Sequence, residues 1–218
     1  MLLAGQWWSA LIDRALIKEC EMKVLSGLLV CLAFAAMNTV VAEEAKEAKK
    51  AAKKMESGLK EGARLGAFDV VKCAGEEADS VAIGKKLCYR CRNGSRPQVI
   101  VFTRSTDKSV TKLVAELDKH VKKFEDEQLR AFVNVVGESK PAAEKMVKAL
   151  AKSTKTENIP YVVPVEFENG PENYALNPKA ELTIIVANES KVVANFAVKS
   201  AKDLKVNSVL ESVEKMFN

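Results

Sequence analysis

The sequence predicts an α/β fold over residues 65–218: a three-layer α/β/α sandwich built on a mixed central sheet. Two observations carry this. Short apolar runs rich in β-branched residues alternate with segments whose apolar residues recur every three to four positions, the pattern of buried strands separated by amphipathic helices. The last two apolar runs then follow one another with only turn residues between them. Strands joined by helices run parallel and hairpin strands run antiparallel, so one mixed sheet with helices on its faces satisfies both. Roughly 150 residues are enough for a single core that buries about two thirds of the unfolded chain's surface.

The elements follow in order. Gln98-Val-Ile-Val-Phe-Thr103 is a buried strand opened by Pro97. Ser105, Thr106 and Asp107 then offer N-cap oxygens to a helix whose apolar stripe is Val110, Leu113, Val114, Leu117, Val121 and Phe124. Leu129 to Val136 is a second strand, ended by Gly137, and Ala143, Met146, Val147 and Leu150 mark the next helix with Pro141 in its first turn. Tyr161-Val-Val163, between Pro160 and Pro164, is a third strand. Leu182–Ala187 and Val192–Phe196 form a hairpin around Asn188-Glu-Ser190. The closing helix carries Val206, Val209, Leu210, Val213, Met216 and Phe217, with Ser200 and Asp203 offered as its capping box. A long Pro- and Gly-bearing stretch, Asn158 to Tyr174, either shapes a groove or is a connector anchored by Tyr161, Phe167 and Tyr174.

The first 64 residues are of another kind. Met22-Lys23, an apolar stretch of 13 residues from Val24 to Ala36, and small residues Val40 and Ala42 before Glu43 form a signal-peptide pattern over residues 22–42, cleaved near Ala42. That stretch is short for a bilayer core of about 30 Å, so no stable membrane anchor is expected after cleavage. Residues 1–21 do not fit the signal, because Arg14, Lys18 and Lys23 are offset by Asp13, Glu19 and Glu21. They read as a mis-assigned start ahead of Met22 or an atypical extension. Residues 43–64 are a charged, partly helical spacer, since Glu43 to Glu61 holds six Lys and five Glu with only Met55 and Leu59 as larger apolar residues. The expected location is therefore periplasmic or secreted.

Composition excludes several function classes. The net charge of +5 is spread over interspersed charges of both signs, with no basic block or stripe for nucleic acid. A single histidine, His120, leaves no hydrolase triad, and its neighbours Lys119, Lys122 and Lys123 place it on a solvated helix face. Scattered glycines form no phosphate loop.

Arg96-Pro-Gln-Val-Ile-Val-Phe-Thr-Arg104, the helix after it, and Ala180-Glu-Leu-Thr-Ile-Ile-Val-Ala-Asn-Glu-Ser-Lys-Val-Val193 resemble the redoxin or peroxiredoxin-like branch of the thioredoxin-like superfamily. More narrowly, Leu87-Cys-Tyr-Arg-Cys-Arg-Asn-Gly94 and Gly170-Pro-Glu-Asn-Tyr174 resemble a group of exported planctomycete thioredoxin-like proteins. The wider resemblance implies a reactive Cys just after the first core strand, where a helix N-terminus stabilises thiolate. This chain holds Thr103-Arg-Ser-Thr-Asp-Lys-Ser109 there, and capping explains Thr106 and Ser109. The resemblance also implies a cis-proline before the hairpin strand, whereas Lys179-Ala-Glu181 stand there and the nearest proline is Pro178.

Sulfur lies elsewhere. Past the signal the cysteines are Cys73, Cys88 and Cys91, an odd number for an oxidising compartment. Cys88-Tyr-Arg-Cys91 is a Cys-x-x-Cys pair, able to close a small reducible ring, and Lys85, Lys86, Arg90, Arg92 and Arg96 around it favour thiolate. It precedes a strand, so no helix dipole is expected to help. Alternatively Cys73 pairs with Cys88 or Cys91 and leaves the other free. Three functions stay open: thiol–disulfide exchange through catalytic Cys88 and Cys91, with Arg90, Arg92 and Cys73 in support; a non-catalytic binding or structural module with a structural disulfide; and a periplasmic metal carrier, for which three thiols still lack a fourth ligand. No cofactor and no resident metal are expected. The expected partners are disulfide-bearing or thiol proteins outside the cytoplasm.

Overall fold

A computed structural model describes residues 55–218; the signal-peptide reading, residues 1–21 and most of the spacer lie outside the described residues. The fold is a mixed seven-stranded sheet flanked by helices. Its strands are β1 Val70–Gly75, β2 Lys86–Leu87, β3 Gln98–Thr103, β4 Arg130–Val135, β5 Pro160–Pro164, β6 Leu182–Asn188 and β7 Lys191–Val198. Spatially they lie in the order β2-β1-β5-β4-β3-β6-β7. The centre, β3, β4 and β5, is parallel, while β6, β7, β1 and β2 are added antiparallel. The helices are α1 Tyr89–Asn93, α2 Lys108–Lys123, α3 Lys140–Thr154 and α4 Val206–Glu214.

The layers are unequal. Helices α2, α3 and α4 share one core with Val99, Val101, Val133, Val135 and Ile184 on one sheet face. The opposite face is covered by α1, a 3₁₀ turn at Glu172–Tyr174, and the irregular segment that brings Leu65 and Phe68. Aromatic side chains fill that thinner layer. Phe68 packs edge-on against Tyr174 with centroids 4.9 Å apart, and Tyr89 stacks on Phe132 at 5.7 Å.

The sequence-derived strands form within one or two residues of their expected ends; the helices form over their expected stripes, except that α4 stops at Glu214, before Met216 and Phe217. Asp107 caps α2 by accepting the Ser109 N–H at 2.8 Å, and Ser139 caps α3 by accepting the Ala142 N–H. The β6–β7 hairpin turns on Glu189 and Ser190, both at positive φ (49° and 63°), the backbone a two-residue turn of this hand requires. Two local expectations fail. Ser200 precedes, and Asp203 ends, a separate 3₁₀ turn at Ala201–Asp203, so they do not box α4, whose Lys205 cap makes no side-chain bond. Strands β1 and β2 were not foreseen, because Lys72 interrupts the apolar alternation of β1 and β2 is two residues long.

Residues 57–64, assigned by composition to the spacer, lie on the sheet. Ser57 Oγ hydrogen-bonds Thr183 Oγ1 at 2.7 Å, Asn195 Nδ2 donates to the carbonyls of Ser57 and Leu59, and Arg64 bridges Lys191 beside β7. Among the described residues no helix is long and apolar enough to cross a membrane.

Candidate functional site

The antiparallel edge decides where the sulfurs stand. Strand β1 runs back along β5 with Val70 opposite Pro164, and Leu87 of β2 pairs with Val70. The chain therefore leaves β2 at the end of the sheet where the parallel strands terminate. Cys88 comes next and is the N-cap of α1, its Sγ accepting the Cys91 N–H at 3.1 Å. This corrects the expectation of a loop without a helix. Five residues are too few for a periodic stripe, and the one available signal was Tyr89 and Asn93, four apart and both buried.

Cys88 and Cys91 are joined as a disulfide, and Cys73 is free. The alternative pairings of Cys73 are thereby overturned. Cys73 sits on the helix-covered face beside α3, where burial and then the Glu144 carboxylate push its thiol up from the usual range. It supports neither of the other sulfurs. Cys88 is half-buried, Cys91 is exposed, and both line a cleft of about 380 Å³ with Ala67, Phe68, Asp69, Pro164, Val165, Glu166 and Pro171. The Asn158–Tyr174 stretch is thus both things at once: Tyr161 and Tyr174 anchor it in the core, and its middle forms one wall of the cleft.

The basic residues do not gather on the sulfurs. The Arg90 guanidinium reaches the Gly94 carbonyl at 3.5 Å, Arg92 donates to the Asp79 carbonyl at 2.6 Å, and Arg96 donates to Gln128 Oε1 at 2.8 Å. Lys86 pairs with Asp69 at 2.9 Å on the surface.

Beneath α1 lies a buried polar cluster that sequence reasoning missed. Lys72, 1 % exposed, donates to Asp79 Oδ1 at 2.6 Å, to the Val81 carbonyl at 2.9 Å and to the Glu76 carbonyl. The Tyr89 hydroxyl donates to Asp79 Oδ2, and the Val81 N–H donates to Oδ1 at 2.8 Å. Asp79 therefore ties both ends of α1, through Tyr89 and Arg92, to Lys72 of β1. Burial works against its charge, yet the hydrogen bonds from Lys72, Tyr89 and Val81 hold its carboxyl below the usual carboxylate range. Burial, then the hydrogen bond to Asp79, drive the Tyr89 phenol far above its ordinary value. Burial and the neighbouring Asp79 charge push Glu76 up.

The helix tip after β3, where the superfamily resemblance implies a reactive Cys, is closed by local bonds. Thr103 Oγ1 accepts the Ser105 N–H at 3.0 Å, Ser105 Oγ accepts the Asp107 N–H at 3.2 Å, and Asp107 caps α2. Before β6, the Glu181 carbonyl accepts the Arg104 N–H at 2.8 Å, and every described peptide bond is trans.

His120 is not on a solvated face: its side chain is 13 % exposed, Nδ1 donates to the Glu116 carbonyl at 2.8 Å, and Nε2 faces Glu214 of α4 at 3.4 Å. Among the described residues no three His, Cys, Asp or Glu side chains are grouped to hold a metal ion. The three thiols weighed for a metal carrier are split between two sheet faces.

The architecture is a thioredoxin-like fold, with a Cys-x-x-Cys disulfide opening into a cleft at one end of its sheet. No protein-family model and no curated protein matches the chain. Solved structures match it in fold. AhpC of Mycobacterium bovis superposes with a TM-score of 0.55 at 13% identity, over 75% of this chain and 100% of its own. AhpC of Mycobacterium tuberculosis gives 0.54 at 14%, over 73% and 99%. The thioredoxin domain of the thiol-disulfide oxidoreductase BVU-2223 from Bacteroides vulgatus gives 0.53 at 16%, over 73% and 99%.

Proposed function

We propose that this chain is an exported thiol–disulfide exchange protein working through Cys88 and Cys91. One observation carries the reading: a Cys-x-x-Cys disulfide on a thioredoxin-like fold has one exposed sulfur and opens into a cleft. The chemistry follows from the unequal burial of the two sulfurs. A partner thiolate attacks the exposed Cys91 Sγ, the Cys88–Cys91 bond breaks, and its electron pair leaves on Cys88. That departing thiolate already accepts the Cys91 N–H, which stabilises it as a leaving group. A second partner thiolate then attacks the partner sulfur of the mixed disulfide and releases Cys91 as a thiolate. The partner is oxidised by two electrons, and both cysteines end reduced. In the reverse direction the exposed Cys91 thiolate attacks a partner disulfide and Cys88 resolves it.

Export rests on the signal-peptide pattern ending near Ala42, and the likeness to exported planctomycete proteins rests on Leu87–Gly94 and Gly170–Tyr174. The expected partners are thiol or disulfide proteins of the extracytoplasmic space.

The competing reading, a non-catalytic module with a structural disulfide, draws on the filled helix tip at Asp107 and on the Asp79 cluster, which fixes α1 without sulfur. Equilibration of the mature protein against glutathione or dithiothreitol buffers separates the two. A potential above about −300 mV with measurable insulin reduction supports exchange. A potential below about −300 mV with no insulin reduction marks the bond as structural. In Cys88→Ser the Cys91 thiolate should attack a disulfide-bonded peptide, releasing one half as a thiol, and the mixed disulfide should stay trapped on Cys91 because the resolving thiol is gone.

A further inference from the structure

The charge that lines the disulfide cleft is opposite in sign to the charge around Cys88 and Cys91 in sequence. Arg92 donates to the Asp79 carbonyl and Arg96 to Gln128, Arg90 reaches the Gly94 carbonyl at 3.5 Å, and none of these three nor Lys85 lines the cleft. The charged side chains that do line it are Asp69 and Glu166. Lys86 meets Asp69 at 2.9 Å and offsets it. Glu166 is exposed, accepts the Glu172 N–H on Oε2 at 2.9 Å, and forms no ion pair with Lys or Arg among the described residues. Beside it Val165 stands 49 % exposed, next to buried Pro164 and Pro171. An uncompensated carboxylate beside a disulfide is awkward for thiol exchange, because the attacking species is an anion. The awkwardness disappears when the anion arrives with a cation attached.

We infer that the partner of this cleft is an extended peptide segment with Lys or Arg beside its reacting cysteine, the cation pairing with Glu166 and an apolar neighbour covering Val165. The inference rests on the exchange reading above and specifies the substrate class. Its physical content is charge complementarity at a solvent-exposed site, so it must depend on ionic strength.

The test uses the oxidised mature protein and three short peptides differing only in the residue before cysteine: Arg, Gln or Glu. Mixed-disulfide formation is followed by acid quench and mass spectrometry. Each rate is divided by the same peptide's rate with the neutral disulfide of 2-mercaptoethanol, which removes differences in intrinsic thiol reactivity. The Arg peptide should exceed the Glu peptide by about three- to tenfold at low salt, with the ratio shrinking towards one near 0.5 M salt. Glu166→Gln, which keeps an oxygen for the Glu172 N–H, should bring the ratio close to one, and Glu166→Lys should invert it. Glu125→Gln, on a distant surface turn, should leave the wild-type ratio in place. A wild-type ratio near one at low salt overturns the inference while leaving exchange intact, as does a ratio indifferent to Glu166→Gln. Peptides that attack the reference disulfide but never the protein sink the exchange reading itself, and this inference with it.

Discussion

Replacing Lys72 by Met should destabilise the domain more than any single substitution on its surface. The ammonium is 1 % exposed and gives its protons to Asp79, to the Val81 carbonyl and to the Glu76 carbonyl. The Asp79 side chain is itself only 6 % exposed. Met keeps most of the volume and removes the charge. Two carbonyls then lose a donor, and the carboxylate keeps only Tyr89 and the Val81 N–H. Breaking one side of a buried ion pair costs about 3–5 kcal/mol. For a domain of this size that is roughly 6–20 °C in melting temperature. Urea unfolding followed by far-UV circular dichroism should show a lower midpoint with an unchanged slope. Adding Asp79→Asn to Lys72→Met removes the stranded charge, so the double variant should cost less than the sum of the singles by about 0.5–3 kcal/mol. A single-variant cost below about 1 kcal/mol, or strict additivity, would refute the claim that these groups hold β1, the 76–84 loop and α1 together.

Asp79 and Glu76 should give opposite pH signatures. The Asp79 carboxyl is held low in the folded state, so its contribution is complete above its unfolded pKa of about 3.9 and fades as pH falls through the lower folded value; Asp79→Asn should remove that part of the acid limb of a stability–pH curve. Glu76 is raised, so its charged form costs stability at neutral pH; Glu76→Gln should stabilise at pH 7 and lose the advantage as pH falls through the raised folded value to the ordinary Glu value of about 4.3. In the reduced protein at neutral pH, iodoacetamide should modify exposed Cys91 first and Cys73 last, as peptide mapping would reveal, because burial keeps Cys73 a thiol; prompt alkylation of Cys73 would contradict its placement. Gly75→Ala should cost at least about 1–3 kcal/mol in a thermal melt from backbone conformation alone. Gly75 has φ +78°, and a Cβ there would meet the Ile159 carbonyl at 2.1 Å.

Legibility followed sequence range. Strand β3 is buried at all six positions and reads as a run, and Val110, Leu113, Val114, Leu117 and Val121 of α2 show their spacing without help from any other segment. Strand β1 was hidden because its central Lys72 looks like a surface residue until Asp79, the Val81 carbonyl and Tyr89 are placed around it. The 57–64 segment was hidden for a related reason. Its composition is that of a solvated spacer, and its place on the sheet depends on Thr183 and Asn195, more than a hundred residues away. The cysteine pair itself was legible, but its electrostatic setting was not. Sequence proximity of five basic residues says nothing about where long flexible side chains point. Four of them found partners in the Gly94, Asp79, Gln128 and Asp69 side chains or carbonyls instead.

The displacement of sulfur along the chain is smaller in space than in sequence. The tip of α2 follows the last residue of β3, and the disulfide stands where β5 ends and β1 begins. Because β3, β4 and β5 are parallel, these are the same end of the sheet, and the β2 strand that leads into Cys88 is four strand spacings from β3, on the order of 19 Å. What lies between is the loop after β5, fastened to both sides: the Val165 N–H donates to the Asp69 carbonyl, the Arg104 guanidinium donates to the Glu168 carbonyl, and the Gly137 N–H donates to the Phe167 carbonyl. An antiparallel β1 is what makes this geometry available. Had β1 run parallel to β5, the Val70–Leu87 pairing would bring Cys88 out at the opposite end of the sheet, among the strand N-termini. The strand β1 that sequence analysis overlooked thus determines which end of the fold carries the disulfide, and Lys72, the residue that concealed that strand, is also the one that anchors it beneath the disulfide-bearing helix.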